Sequence, residues 1–114
     1  MNSPIHKDEM LALALRCEAA TGTDRSLDAM IHFAVKNGVD VGYAQDAPAY
    51  TASLDAAMQL AQDYGGQLTF FKDGTAKAFL WQPYPMAVEA KASTPALALC
   101  AAALRARTAL EEPK

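Results

Sequence analysis

The spacing of apolar residues predicts three α-helices before the chain reaches its first clear strand. Apolar side chains recur every three or four positions, so each segment has one apolar and one polar face. This pattern is typical of a helix packed against a core. The segments with this spacing are 7–20, 25–36 and 54–64.

Capping and stop residues indicate where these helices begin and end. Thr23 or Asp24 can cap the second helix and Ser53 the third, because a side-chain oxygen accepts a hydrogen bond from an unpaired N–H of the first turn. The Gly65-Gly66 pair predicts the end of the third helix. The linker between the first two helices is short, so we expect them to form a helical hairpin or corner.

From residue 67 the period changes from 3.6 to 2, which predicts β-strands. The predicted strands are 67–71, 76–81 and 86–92. Asp73-Gly74 lies between the first two strands, and Asp-Gly is a strong hairpin signal. The segment 39–41 also alternates, so a further short strand is predicted there. The rest of 39–50 predicts no regular element.

The clearest helix in the sequence is predicted at 95–110. Thr94 is a good N-cap, and Pro95 suits the first helical position, where a missing N–H costs nothing. The interior is alanine, leucine and cysteine up to residue 104. Because so much alanine allows a sheet or another helix to approach closely, we expect the domain to pack against this helix.

The predicted order of elements is α-α-(β)-α-β-β-β-α within one domain, 1–114, with 1–6 and 111–114 as frayed tails. Three antiparallel strands need a cover on at least one face. A layered α/β/α sandwich of the α+β class, with a three-stranded antiparallel meander, is the natural arrangement. Whether helices cover both faces of the sheet stays open. Glu89 and Lys91 indicate that part of one face is solvated, whereas Phe79 and Trp81 make part of it apolar.

Three blocks of the sequence resemble a known family. They are RCEAATGTDRSLDAMI (16–31), AYTASLDAAMQL (49–60) and STPALALCAAALRAR (93–107). In this order they resemble the small phage and prophage proteins grouped as the phage ABA sandwich domain family, over about 11–107. The resemblance implies a small α/β/α sandwich encoded in phage or prophage genomes. It implies no activity and no catalytic motif, so it assigns no functional residue.

Composition and charge narrow the classes of function. The 114 residues carry a formal net charge of −3, which argues against general binding to nucleic acid or to anionic membranes. No apolar run reaches the roughly 20 residues that span a bilayer. The N-terminus begins polar and carries acids, unlike a signal peptide. We therefore expect a cytoplasmic protein.

No catalytic or metal-binding constellation is visible in the sequence. His6 and His32 lack a neighbouring cysteine or histidine at metal-ligand spacing, and His32 is expected to be a lone surface histidine. Cys17 and Cys100 lie on apolar stripes, so they are expected to be buried free thiols. We expect no enzymatic activity, no cofactor and no metal.

Charged residues supply one candidate site. Asp24 and Asp28 are expected to be solvated charges near a helix start, where the helix dipole favours them. Arg16, Arg105 and Arg107 can form an anion-binding patch if the first and last helices are neighbours. The competing interpretation of the last two is a solvated helix end, where positive charge is also favoured.

Aromatic residues supply the second candidate site. Phe79 and Trp81, with Tyr84 in the next turn, can form an exposed platform of the kind enriched in interfaces. The competing interpretation is core packing under a helix, because large aromatic residues usually supply burial.

Four functions remain open from the sequence. The first is a non-enzymatic phage accessory protein that binds a host protein, such as a defence component, or a small anionic ligand. A homo-oligomeric structural or assembly protein is the alternative. A double-stranded RNA-binding module shares the α-β-β-β-α order but lacks the basic cluster that phosphate contacts need. A small enzyme is the fourth function, and the sequence contains no recognisable catalytic site for it.

Overall fold

The computed structural model describes residues 4–35, 47–62, 64–81 and 87–110. Within these ranges it has four helices and a three-stranded antiparallel meander, which confirms the predicted α+β class. None of the helices in these ranges combines the length and apolar character needed to cross a bilayer. The short strand predicted at 39–41 lies outside the described residues. In chain order the elements are α1 (Pro4–Ala19), α2 (Arg25–Val35), α3 (Leu54–Leu60), β1 (Gly65–Phe70), β2 (Ala76–Trp81), β3 (Ala87–Ala92) and α4 (Pro95–Leu110).

Helix α4 is the central element of the fold. Its predicted cap is present, because the Thr94 hydroxyl accepts a hydrogen bond from the Leu97 N–H at 3.2 Å. Every residue from 96 to 104 is at most 6% exposed. The helix contacts α1, α3 and all three strands. A helix enclosed on all sides must be apolar all round, and its alanines let these neighbours approach closely.

The three strands pair in chain order, with β2 between β1 and β3. The first turn lies where Asp73-Gly74 predicts it, and Gly74 has the positive φ of 94° that glycine tolerates best. The Phe71 N–H donates to the Thr75 carbonyl oxygen at 3.0 Å, which closes a loop of residues 72–74. A three-residue loop that ends in a left-handed glycine is a common hairpin connection.

The described helices lie on one face of the sheet. Ala76, Ala78 and Leu80 of β2 are buried on this face, as are Ala90 and Ala92 of β3. Helix α4 packs against it, and α1 packs on α4 and reaches β3. The layers within the described ranges are therefore the sheet, α4 and then α1. The opposite face of the sheet has no described helix over it.

Two helix limits differ from the prediction by three residues or more. Helix α1 begins at Pro4, so part of the predicted N-terminal tail is helical, and proline suits this first position. Helix α3 ends at Leu60 rather than at 64. The Ala61 N–H bonds the carbonyl of Met58 at 3.1 Å, an i−3 contact that tightens the end of the helix. The glycines at 65–66 belong to β1, not to a helix stop.

A buried carboxylate holds the loop before α3 against α2. Asp28 was expected to be solvated, but it is fully buried. It accepts hydrogen bonds from the Thr51 N–H at 2.7 Å and from Arg25 Nη1 at 2.9 Å. These two bonds offset the cost of removing the carboxylate from water. Asp24 does lie at the helix start, where it accepts a bond from the Leu27 N–H at 3.1 Å.

Enlarging an alanine of α4 should destabilise the protein. Ala102 is fully buried, so Ala102→Leu adds three carbons to a filled interior, and overpacking of this kind costs about 1–3 kcal/mol. The control Ala12→Leu adds the same atoms at an exposed position of α1. It should change the free energy of unfolding by less than about 0.5 kcal/mol. Urea unfolding followed by circular dichroism measures both variants, and equal stabilities would contradict the enclosure of α4.

Candidate binding surface

The face of the sheet opposite the helices is the main candidate surface, and we call it the open face. Strand alternation places every second residue on it, and the strand register aligns these residues in three rows. Read across β1, β2 and β3, the rows are Gly65 with Trp81 and Ala87, Gln67 with Phe79 and Glu89, and Thr69 with Lys77 and Lys91. The open face therefore has an aromatic end and a charged end.

Two of the three predicted interface residues meet at the aromatic end. The rings of Phe79 and Trp81 are 5.6 Å apart between centroids and tilted by 51°. Tilted pairs of this kind are worth about 0.5–1.5 kcal/mol beyond the area they bury. Trp81 remains 38% exposed, so a described helix does not cover it. Tyr84 lies outside the described residues, and an interface role for these aromatics stays a prediction.

Gly65 lets the indole of Trp81 lie across the neighbouring strand. A Cβ added at Gly65 would lie 2.6 Å from Nε1 and 2.9 Å from Cε2 of Trp81. Real Cβ atoms do not approach other atoms this closely, so a side chain at 65 would displace the ring. Glycine is therefore the residue that fits this position of β1, because the indole of Trp81 occupies the place of its missing Cβ.

The charged end holds two lysines and one glutamate. Lys77 Nζ lies 3.9 Å from a carboxylate oxygen of Glu89. Lys91 Nζ lies 4.9 Å from the ring centroid of Phe71, which is a cation–π contact. Exposed ion pairs of this kind contribute little to stability. These charges can therefore exchange their present partners for those of a bound molecule at small cost.

A polar recess of about 390 Å³ adjoins the charged end. It is lined by Glu18, Lys77, Glu89, Ala90, Lys91 and Arg105. Arg105 donates from Nε and Nη2 to the two carboxylate oxygens of Glu18, at 2.8 Å each. This bidentate bond raises the pKa of Arg105. The guanidinium is therefore fixed in direction and always charged.

The predicted anion-binding arginines have separate partners. Helices α1 and α4 are neighbours, as the predicted patch requires. However, Arg105 and Arg107 are about 200° apart around a helix of 3.6 residues per turn. Arg107 Nη2 donates to the Leu60 carbonyl at 3.3 Å, and its buried Nε has no hydrogen-bond partner among the described residues. Arg16 Nη2 lies 3.8 Å from Oδ2 of Asp24. Of the three, Arg105 lines the recess.

The two thiols and the described histidine lie in buried or half-buried positions, in contact with other side chains. Cys17 and Cys100 are buried, as expected. A hydrogen bond with Cys17 and then burial raise the pKa of Cys100, which disfavours the nucleophilic thiolate. His32 is half-buried rather than a lone surface residue, with Nδ1 3.3 Å from the Tyr50 hydroxyl. Burial is the main cause of the raised pKa of Tyr50. Within the described ranges, no cluster of three or more possible ligands could hold a metal.

Sequence reasoning missed the recess because its two sides are far apart in the chain. Glu18 and Arg105 are separated by 87 positions, and neither belongs to a motif. The period-2 pattern does place Lys77 and Lys91 on one face of the sheet, and the meander makes their strands neighbours. The two lysines were therefore a usable signal, whereas the ion pair beside them was not.

Comparisons with protein-family models, with curated proteins and with solved structures found no match for this chain. The fold and the surface define its class: an α+β protein with a three-stranded sheet covered on one face and aromatic and charged on the other. Its function is therefore inferred from the open face, from the recess and from the sheet edges.

A substitution at Gly65 should move the indole of Trp81. The chain has one tryptophan, so its fluorescence reports this site alone. Gly65→Ala should shift the emission to longer wavelength, because the added Cβ displaces the ring towards water. Gly22→Ala is the control, since a Cβ there meets nothing within 4 Å. Unchanged emission from folded Gly65→Ala would contradict the described position of the ring.

Proposed function

We propose that this chain is a non-enzymatic accessory protein of phage or prophage origin, and that it binds a host protein through the open face. The observation that carries the proposal is the aromatic end, where Phe79 and an exposed Trp81 lie in contact on the sheet. Tryptophan and its aromatic neighbours supply much of the binding energy in protein interfaces. Two such residues on one open surface are suited to a partner's apolar groove.

The charged end suits the same kind of partner. The aromatic pair has charged residues next to it on the sheet, namely Lys77, Glu89 and Lys91. Apolar and charged side chains are therefore adjacent on one surface. Interfaces typically have an apolar centre and a polar rim. Charges on a rim contribute more to the rate and the specificity of association than to affinity. A partner with an acidic rim beside an apolar groove would match this arrangement.

The non-enzymatic part of the proposal is supported by the chemistry of the titratable groups. The raised pKa of Cys100 disfavours a nucleophilic role. Burial raises the pKa of Tyr50, whose hydroxyl lies 3.3 Å from Nδ1 of His32, so this hydroxyl stays protonated near neutral pH. A defence component is one host protein that a phage protein of this kind would target.

A small anion is the second candidate ligand, and the recess is the reason. Lys77, Lys91 and Arg105 meet there, and cations that converge in a recess favour a bound anion. Glu18 and Glu89 neutralise much of this charge in the described structure. An incoming anion would have to compete with both carboxylates, so we place the protein partner first.

Removal of the aromatic end should strongly weaken partner binding. The double variant Phe79→Ala/Trp81→Ala should weaken binding by at least about 30-fold, since a hot-spot residue contributes 2 kcal/mol or more. Phe33→Ala is the matched control, because Phe33 is an aromatic residue of α2 that is 52% exposed. The measurement is capture of a specific protein from host lysate, followed by calorimetric titration of that protein.

Two results would contradict the proposal. One is a partner that is lost equally with Phe33→Ala, which would place the interface on the helical side. The other is a hydrolytic activity of the purified chain that disappears when one polar residue is changed. Circular dichroism of each variant separates lost binding from lost folding.

A further inference from the structure

Strand β1 is the exposed edge of the sheet. Five of its six residues are exposed and the sixth, Leu68, is half-buried. It carries no charged residue. The other edge strand, β3, carries Glu89 and Lys91 and has α1 beside it. Charges and covering helices are the usual protection of an edge strand against pairing, and β1 has neither within the described ranges.

The ladder shows which backbone groups of β1 point away from the sheet. The Phe71 N–H donates to Thr75, so residue 71 faces β2. Along an antiparallel strand, residues alternate between facing one neighbour and facing the other. The N–H and C=O groups of Gly66, Leu68 and Phe70 therefore point outward, at the edge that pairs with no described strand.

An apolar groove and an exposed aromatic side chain lie on the helix side of this edge. The groove has a volume of about 450 Å³ and lies between α3 and β1. Its lining includes Leu54, Met58, Gly66, Leu68, Leu80 and Leu99. Phe70 follows on the same face of β1, two residues beyond Leu68, and is 65% exposed.

Gly66 is exposed beside the groove, and Leu80 of β2 lies where its side chain would be. A Cβ there would lie 2.5 Å from Leu80 Cδ2 and 2.9 Å from the Phe79 carbonyl oxygen, so the strand requires glycine. A glycine in a strand leaves its neighbours without a side chain to pack on. An aromatic residue directly across an antiparallel pair is a known way to cover it.

We propose that β1 pairs with β1 of a second copy of this chain, antiparallel across a two-fold axis at Leu68. In this register Leu68 faces Leu68 of the second copy, and Gly66 faces Phe70 of the second copy. All three outward residues of each strand then exchange backbone hydrogen bonds. Each Phe70 covers the glycine of the other copy and enters its apolar groove. The result is one continuous six-stranded sheet.

A second copy fits this edge better than an unrelated strand does, because the exposed side chain and the groove that receives it are on the same molecule. In a two-fold symmetric dimer, each copy inserts its exposed side chain into the groove of the other, so this contact is made twice. Residues 64–71 carry no charge, so the two copies meet without like-charge contact. Roughly ten residues from each copy would be buried, fewer than the 20–30 of a standard interface. We therefore expect a dimer with a dissociation constant in the micromolar range.

Oligomeric state against concentration tests the proposal. Sedimentation equilibrium of the whole chain should show a monomer–dimer equilibrium. Phe70→Glu should raise the dissociation constant at least tenfold, because it removes the aromatic cover and places a charge at an apolar groove. Thr69→Glu is the matched control, since it adds the same charge on the opposite face of β1, across from Lys77. It should change the dissociation constant by no more than about threefold.

Cysteine cross-linking tests the register. At the two-fold axis the Cα atoms of the paired residues should be about 5.5 Å apart, within the reach of a disulfide. Leu68→Cys should therefore form a disulfide-linked dimer under mild oxidation. In Thr69→Cys the equivalent atoms would be roughly 8 Å apart, too far for a disulfide. Cys17 and Cys100 are buried, so the unsubstituted chain gives the background level of cross-linking.

Three results would overturn the proposal. The first is a monomer at all accessible concentrations, which would leave the edge to an extended segment of another protein. The second is a dimer that survives Phe70→Glu but is lost with Trp81→Glu, which would place the contact on the open face. The third is a dimer in which Thr69→Cys cross-links and Leu68→Cys does not. A whole chain that dimerises as described but captures no host protein would contradict the proposed function and leave this inference standing.

Discussion

The alanines of α4 pack closely against the neighbouring helices and strands, and this packing holds the layers of the molecule together. Residues 96–104 are almost wholly buried, and the helix contacts the sheet together with α1 and α3. Elements can meet on all sides of one helix only where its side chains are small. Arg105 and Arg107 are the charged residues of its last turns, and they bond Glu18 of α1 and the carbonyl of Leu60. The same short side chains that allow this enclosure also leave little room for a cleft at the centre of the molecule.

This arrangement decides where binding can occur. Because α4 covers one face of the sheet and is itself covered by α1, the described helices leave the other face and the β1 edge uncovered. The open face combines aromatic and charged side chains, whereas the β1 edge combines outward-pointing backbone groups with an apolar groove. The two surfaces differ in chemistry and lie on different sides of β1. A protein that pairs along one surface can therefore still bind a partner on the other.

Local signals predicted most of the fold. The Thr94 cap, the alanine run, the Asp-Gly turn and the period-2 pattern placed α4 and the meander within a residue or two. The errors arose where a distant contact overrides a local preference. Gly65 and Gly66 look like a helix stop, but Trp81 and Leu80 from the next strand occupy the places of their missing side chains. Asp28 looks solvated, but Thr51 and Arg25 hold it in the interior. The aromatic pair was visible as an i, i+2 pattern, while the Glu18–Arg105 pair was not visible at all.

Backbone hydrogen exchange measures whether α4 is the enclosed element of the fold. If α4 is the enclosed element, its amides from 98 to 106 should be the slowest to exchange, with an opening free energy equal to that of global unfolding and an equal dependence on denaturant. The outward amides of Leu68 and Phe70 should exchange far faster in dilute monomer. Amides of α4 that exchange by local opening, as fast as those of α2 and without dependence on denaturant, would contradict the enclosure of this helix.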